Sequence, residues 1–222
     1  MVMATALVTG ANRGIGLELC KQLAERRMDV IAVCRERSQA LDGLGVRVEP
    51  GVDVTDDASM QALVARLGVD RIDLLVNNAG ILSSESLDDL DFDRIRRQFE
   101  VNALGPLRTT AALLPKLGEG SKVVVVTSRM GSIADNTSGG RYGYRMSKAA
   151  VNMAAKSLAV DLAPRRVAVA IVHPGMVRTD MTGHHGDVDP ATAAARIIQR
   201  MDALTLETSG TFWHANGEVL PW

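Results

Sequence analysis

The chain has 222 residues, of which 46% are hydrophobic and 23% charged, with a net charge of -1. That composition fits a globular protein with one core large enough to need no metal or disulfide staple. The near-neutral charge and 3% aromatic content supply neither the basic field nor the stacking platforms of a nucleic-acid binder.

No apolar run approaches the roughly 18 residues of a membrane span. The opening MVMATALVTG lacks a basic leader and a cleavage pattern, so it reads as a first strand. Cys20 and Cys34 read as free thiols of a reducing compartment, and a cytoplasmic protein is expected. Thr5–Thr9 (TALVT) is the first strand, followed by a helix over residues 15–27 with Ile15, Leu19 and Leu23 on one face. Residues 30–34 (VIAVC) and, more weakly, 46–49 predict two more strands, with a helix over 56–67. A fourth strand begins at 74–76 and stops at NNAG. Residues 92–117 form a long helical region that Pro106 should kink or reset. The clearest strand is 123–127 (VVVVT). A helix over 144–163 is ended by Pro164, and a strand over 167–172 is stopped by Pro174-Gly175. A helix over 191–204 and a short strand over 211–214 complete the chain.

The strands are continuous apolar runs, the pattern of strands buried on both faces. With the βαβα order this predicts an α/β chain. The expected architecture is a Rossmann-type doubly wound parallel sheet of about seven strands, helices on both faces, in a single domain over 1–222. Loops at 83–89, 129–143 and 175–190 follow the carboxyl ends of strands, the edge where such sheets bind ligands.

TGANRGIG (residues 9–16) sits between a strand and a helix. Gly10 permits the tight turn, Gly14 lets the backbone approach a pyrophosphate, and Gly16 lets the helix start close to the sheet. The helix N-terminus then offers free N–H groups to phosphate.

The spacing Gly-x-x-x-Gly-x-Gly after a first strand resembles the short-chain dehydrogenase/reductase family. Further motifs of that family follow in order: Asp53 in GVDVTD, NNAG at 77–80, Asn102 in FEVNALG, Ser128 in VVVVTSRMGS, Tyr144 and Lys148 in YRMSK, and HPGMVRTDM with Pro174 and Gly175. The resemblance spans nearly the whole chain. It implies coenzyme contacts from Gly10, Asn12, Arg13, Gly14, Ile15 and Gly16, from Arg35, Asp53 and Val54, and from Asn77, Ala79 and Gly80. It also implies contacts from Tyr144 and Lys148 and from Pro174, Gly175, Val177 and Thr179. It further implies a catalytic set of Asn102, Ser128, Tyr144 and Lys148, with Lys148 contacting the nicotinamide ribose and Asn102 anchoring a water in a proton relay.

A tyrosine titrates near about 10 and is a poor acid-base group at neutral pH. Lys148 lies one helical turn after Tyr144, and its charge, with that of an oxidised nicotinamide, should favour tyrosinate and lower that pKa. Tyr144 can then give a proton to a carbonyl oxygen or take one from an alcohol, while Ser128 holds the same oxygen. Tyr142 is the competing tyrosine but has no lysine four residues on. Ser132 competes with Ser128, which lies 16 residues before Tyr144, somewhat further than the family usually spaces the pair; an insertion in IADNTSGG accounts for that. Asn102 could instead cap or bend its helix near Gly105-Pro106. His184-His185, with Asp187 and Asp189, lacks further metal ligands at useful spacing and reads as a surface pair at the substrate mouth, so no metal is expected.

The end of the second strand carries Cys34-Arg35 where an aspartate would accept a ribose 2′-hydroxyl. Arg35 and Arg13 suit a 2′-phosphate, so NADP(H) is expected over NAD(H), with Glu36 as the opposing feature. SRMGSIADN, GGRYGYRMSK and the ending GEVLPW resemble the C-factor-like subgroup, whose relatives include small carbonyl reductases. That implies a small-molecule carbonyl or alcohol substrate, and alternatively a nucleotide-binding signalling protein with little turnover. Met130, Ile133, Met176, Met181 and Tyr142 are candidate pocket liners. The small residues of AAVNMAAKSLAVDLA fit the helix that the family pairs across a two-fold axis, so a homodimer is expected.

Overall fold

The computed structural model describes residues 3–222. Seven parallel strands form one sheet in the order β3-β2-β1-β4-β5-β6-β7. They are β1 (Thr5–Thr9), β2 (Asp29–Val33), β3 (Arg47–Glu49), β4 (Leu74–Asn77), β5 (Lys122–Val126), β6 (Ala168–His173) and β7 (Phe212–His214). The strands at the sheet's centre are mainly apolar because both faces are covered; all five residues of β1 are buried. Helices α1 (Gly14–Glu25) and α7 (Pro190–Ala203) pack on one face over Ala6, Val8, Val124 and Ala170. Helices α3 (Asp57–Arg66), α5 (Gly105–Leu113) and α6 (Tyr142–Leu162) cover the other, over Leu7, Leu75, Val123 and Ile171.

The chain winds outward from β1 to β3, then returns to place β4 on the opposite side of β1. This reversal opens a crevice at the carboxyl ends of β1 and β4. Register brings those ends level: Val8 pairs with Val76, and Val126 pairs with Val172. The loops after β1, β4, β5 and β6 therefore meet at one edge.

Pro106 does not end the helical region. Instead α4 (Phe92–Phe99) opens into a π-helical turn, Glu100–Leu104, and continues as α5. A proline has no N–H for the carbonyl four residues back, and the wider turn accommodates that loss. The long helix α6 begins at Tyr142, two residues earlier than expected, directly after a left-handed Arg141. A short helix, α2 (Gln39–Asp42), carries no periodic signal long enough to predict; the Ser38 hydroxyl accepts from Leu41 N and starts it.

Candidate active site

The glycine loop after β1 forms the floor of a groove of about 650 Å3. Gly16 shows why this loop tolerates no side chain: a Cβ there would lie 2.2 Å from the Gly10 carbonyl oxygen. Thr9 and Asn78 bind the loop to the end of β4. The Thr9 hydroxyl accepts from the N–H groups of Asn78 and Ala79, both at 3.1 Å. The Asn78 amide donates to the carbonyls of Thr9 at 3.1 Å and Gly10 at 3.2 Å.

Gly10, Asn12, Arg13, Gly14, Ile15, Arg35, Asp53, Val54, Ala79, Gly80, Tyr144, Lys148, Pro174 and Thr179 all line this groove. Gly16, Gly175 and Val177 are not among its lining residues. Asn77 is a correction. As the last residue of β4 it points to the α5 side, where it is buried and its amide donates to the Thr110 hydroxyl at 3.1 Å. Alternation along the strand puts Asn78 on the groove instead. The doubled asparagine was the available signal, and its second member lines the groove. Ser38 and Arg178 also line the groove and were not anticipated.

At the far end, α6 brings Tyr144 and Lys148 beside the end of β5. Ser128 caps the short turn Arg129–Gly131, its hydroxyl accepting from Met130 N at 3.1 Å. That turn lies hard against α6, since a Cβ on Gly131 would sit 2.6 Å from the Lys148 carbonyl carbon. The packing holds the Ser128 hydroxyl against the Tyr144 phenol. Ser132 is also buried, but its hydroxyl accepts from Asp135 N at 3.1 Å and closes a turn of the loop. Asn102, in the π-helical turn, is buried and brackets Ile81, accepting from its N–H at 2.8 Å and donating to its carbonyl at 2.9 Å. It also donates to the Ser147 hydroxyl at 3.1 Å. A Cβ on Gly80 would lie 3.3 Å from Asn102 Oδ1 and 3.8 Å from Lys148 Nζ, so the three residues converge.

Burial pushes the Tyr144 phenol up, and the Ser128 hydroxyl and the Arg141 guanidinium offset this only in part. Burial also lowers the Lys148 ammonium, to about 8. Its Nζ donates to the Val126 carbonyl at 3.0 Å and lies 5.7 Å from the Tyr144 ring centroid. In the protein's own field the site thus holds a neutral phenol beside a weakened ammonium.

At the opposite end, Arg13 meets a carboxylate of its own chain: Nη1 lies 3.1 Å from Asp180. Asp180 also lies 3.3 Å from His184 Nε2, and His184 lines the groove. Arg35 forms no ion pair among the described residues and faces the groove with Glu36. The Asp53 carboxyl is raised by burial but lowered more by its bonds from Thr55 N and Oγ1, at 2.9 and 2.8 Å. Burial raises the Cys34 thiol and pushes Cys20 up to about 12, as inert thiols require. Of the expected apolar liners, Met181 lines the groove. Ile133 and Met176 stand exposed, and Met130 and Tyr142 are half-buried.

The short chain dehydrogenase family matches residues 4–189 of this sequence. The chain belongs to that family. It is similar to the 1-hydroxy-2-glutathionyl-2-methyl-3-butene dehydrogenase of Rhodococcus sp. strain AD45, at 49% identity over 99% of this chain and 100% of that protein. It is also similar to the C-signal of Myxococcus xanthus, at 43% identity over 73% of this chain and 100% of that protein. Its fold matches that of an NADPH-bound carbonyl reductase from chicken fatty liver with a TM-score of 0.91, at 29% identity and with full coverage of both chains. This short-chain dehydrogenase is therefore an oxidoreductase by family. Among its described residues no helix is long and apolar enough to cross a membrane.

Proposed function

We propose that the chain is an NADP(H)-dependent carbonyl reductase or alcohol dehydrogenase in which Tyr144 is the acid-base group. The observation that carries this reading is that Tyr144 and Lys148 line the same groove as the glycine loop, with the Ser128 hydroxyl beside the Tyr144 phenol. The cradle fits a dinucleotide, since a methyl group at position 16 would collide with the loop's own backbone and the groove has the volume of an ordinary cofactor site. When bound, the nicotinamide supplies or accepts the hydride. The chain's residues do the rest. Ser128 donates to the carbonyl oxygen and fixes it near the phenol. The Tyr144 hydroxyl passes its proton to that oxygen as the carbon becomes a carbinol; in reverse it takes the proton back. In this reading Lys148 contacts the ribose, its charge joins that of an oxidised nicotinamide in favouring tyrosinate, and Asn102 holds Ile81 and the adjoining backbone in position for that contact.

Arg35 supports a preference for the 2′-phosphate, and Arg13 supports it once released from Asp180. Met146, Met153 and Val160 form an exposed stripe along α6, with Leu104 and Leu107 exposed beside it, as a homodimer through these helices requires. The named substrate of the Rhodococcus relative puts alcohols and ketones with a thioether-linked peptide among the candidates. A second reading, a signalling protein with little turnover, rests on the likeness to the C-signal.

Coenzyme oxidation with a panel of ketones, aldehydes and thioether ketones tests both readings. The first expects faster turnover with NADPH than with NADH. Tight NADPH binding without turnover of any member would favour the second.

A further inference from the structure

The N-terminal end of α6, three residues before Tyr144, carries a cation given no part above in the hydride step or in coenzyme binding. Arg141 immediately precedes α6 with φ of +49°, in the left-handed region. Gly139 and Gly140 before it are left-handed as well, at +62° and +61°. Glycine is the residue of lowest conformational cost at such a position, yet position 141 carries a long cationic side chain. Its backbone is fixed by the bond from Arg141 N to the Glu85 carbonyl, at 2.7 Å.

The guanidinium rests on a thioether, with Nη1 3.8 Å from Met130 Sδ, and no carboxylate among the described residues pairs with it. The neighbouring carboxylate, Glu85, is buried and turned inward, accepting from the Ser83 hydroxyl, from Gln98 Nε2 at 2.9 Å and from Gly143 N at 3.2 Å. Arg145, one turn later, points back and ties down the loop through Ser138 Oγ at 2.8 Å and Gly139 O at 3.2 Å. Arg141 is thus left exposed directly before the helix that carries Tyr144 and against Met130, in the turn that Ser128 caps, and its charge acts on the Tyr144 phenol. Ile133 and Met176, in the loops after β5 and β6, are exposed apolar side chains.

We propose that Arg141 is a specificity-determining residue that binds a carboxylate on the substrate, so that the preferred carbonyl or alcohol substrates of this site are carboxylate-bearing molecules. The proposal rests on the reductase reading for the location of the reacting carbon. With only one of its nitrogens engaged, by the Met130 thioether, the planar guanidinium keeps further N–H groups for the paired bonds that suit a carboxylate. The apolar side chains of Ile133 and Met176 accept the part of the substrate between the carboxylate and the reacting carbon.

The test compares each acid with its neutral ester. S-(2-oxopropyl)glutathione and its diethyl ester are reduced by wild type, Arg141→Gln and Arg141→Lys with NADPH. The acid should be favoured in kcat/KM by roughly tenfold to a hundredfold in wild type. That ratio should fall to within about threefold in Arg141→Gln and recover in part in Arg141→Lys. Calorimetric binding of S-hexylglutathione and its diethyl ester to the NADPH-saturated protein gives the same ratio without turnover. A wild type that does not discriminate acid from ester, or an Arg141→Gln variant that still does, overturns the assignment. Failure to reduce any ketone, with the binding ratio still dependent on Arg141, would remove the reductase reading and leave the carboxylate site standing.

Discussion

Replacing Lys148 by methionine should make the protein more stable while removing its activity. Lys148 is 5% exposed, and burial alone lowers it from 10.5 to about 8. That displacement corresponds to roughly 3 kcal/mol of folding free energy lost by keeping the ammonium charged inside the protein. Methionine fills a similar volume without the charge. It forfeits the bond to the Val126 carbonyl, a loss of about 1 kcal/mol. A net gain of about 2 kcal/mol remains, which raises the melting temperature by about 4 to 8 °C in a chain of this size. The pH window follows from the direction of the shift. Below pH 8 the lysine is protonated in both folded and unfolded chains, and the full cost is present. Between 8 and 10.5 the folded protein releases the proton first, and the cost fades; above 10.5 it is gone. Thermal unfolding of wild type and Lys148→Met across that range reads the difference directly. A variant less stable than wild type at neutral pH, or an advantage that does not shrink toward pH 10.5, would refute the reasoning.

Other outcomes follow from the same geometry. Ser128→Ala should lower kcat about a hundredfold, whereas Ser132→Ala, whose hydroxyl only closes a turn, should change it less than about threefold; steady-state rates separate them. Asp180→Ala should free Arg13 and tighten NADPH binding by about threefold to fivefold, with NADH little affected, by fluorescence titration. Because burial raises the Tyr144 phenol, alcohol oxidation should climb as pH rises toward the tyrosine range, since it needs tyrosinate. Ketone reduction, which needs the neutral phenol, should not climb; paired pH profiles check this.

The strands were legible because burial on both faces leaves an uninterrupted apolar run, as in TALVT and VVVVT. The glycine loop was legible because only three glycines in that register let the helix start against the sheet, as the 2.2 Å approach at position 16 shows. What depended on side-chain direction was not. Nothing in NNAG says which asparagine faces the groove, and the strand's pleat selects Asn78 over Asn77. Arg13 reads as a phosphate ligand until the segment after β6 folds back and places Asp180 3.1 Å away, a partner 167 residues distant. The Tyr144–Lys148 pair was placed by helical spacing, but the direction of the tyrosine shift depends on burial, which the spacing does not carry. Pro106 signals a kink or reset in sequence, but not its form; the π-helical turn takes it up and leaves Asn102 against Ile81.

The central claim is that Tyr144 moves the proton while the rest of the site binds and orients. The most direct measurement is NADPH-dependent reduction of one turned-over ketone by wild type and Tyr144→Phe, with the NADPH dissociation constant of each measured alongside. The account predicts that kcat falls by roughly a thousandfold in the variant while NADPH affinity stays within about threefold, because the phenol oxygen is the only atom removed. A variant that keeps more than a tenth of the wild-type kcat with intact NADPH binding would contradict it.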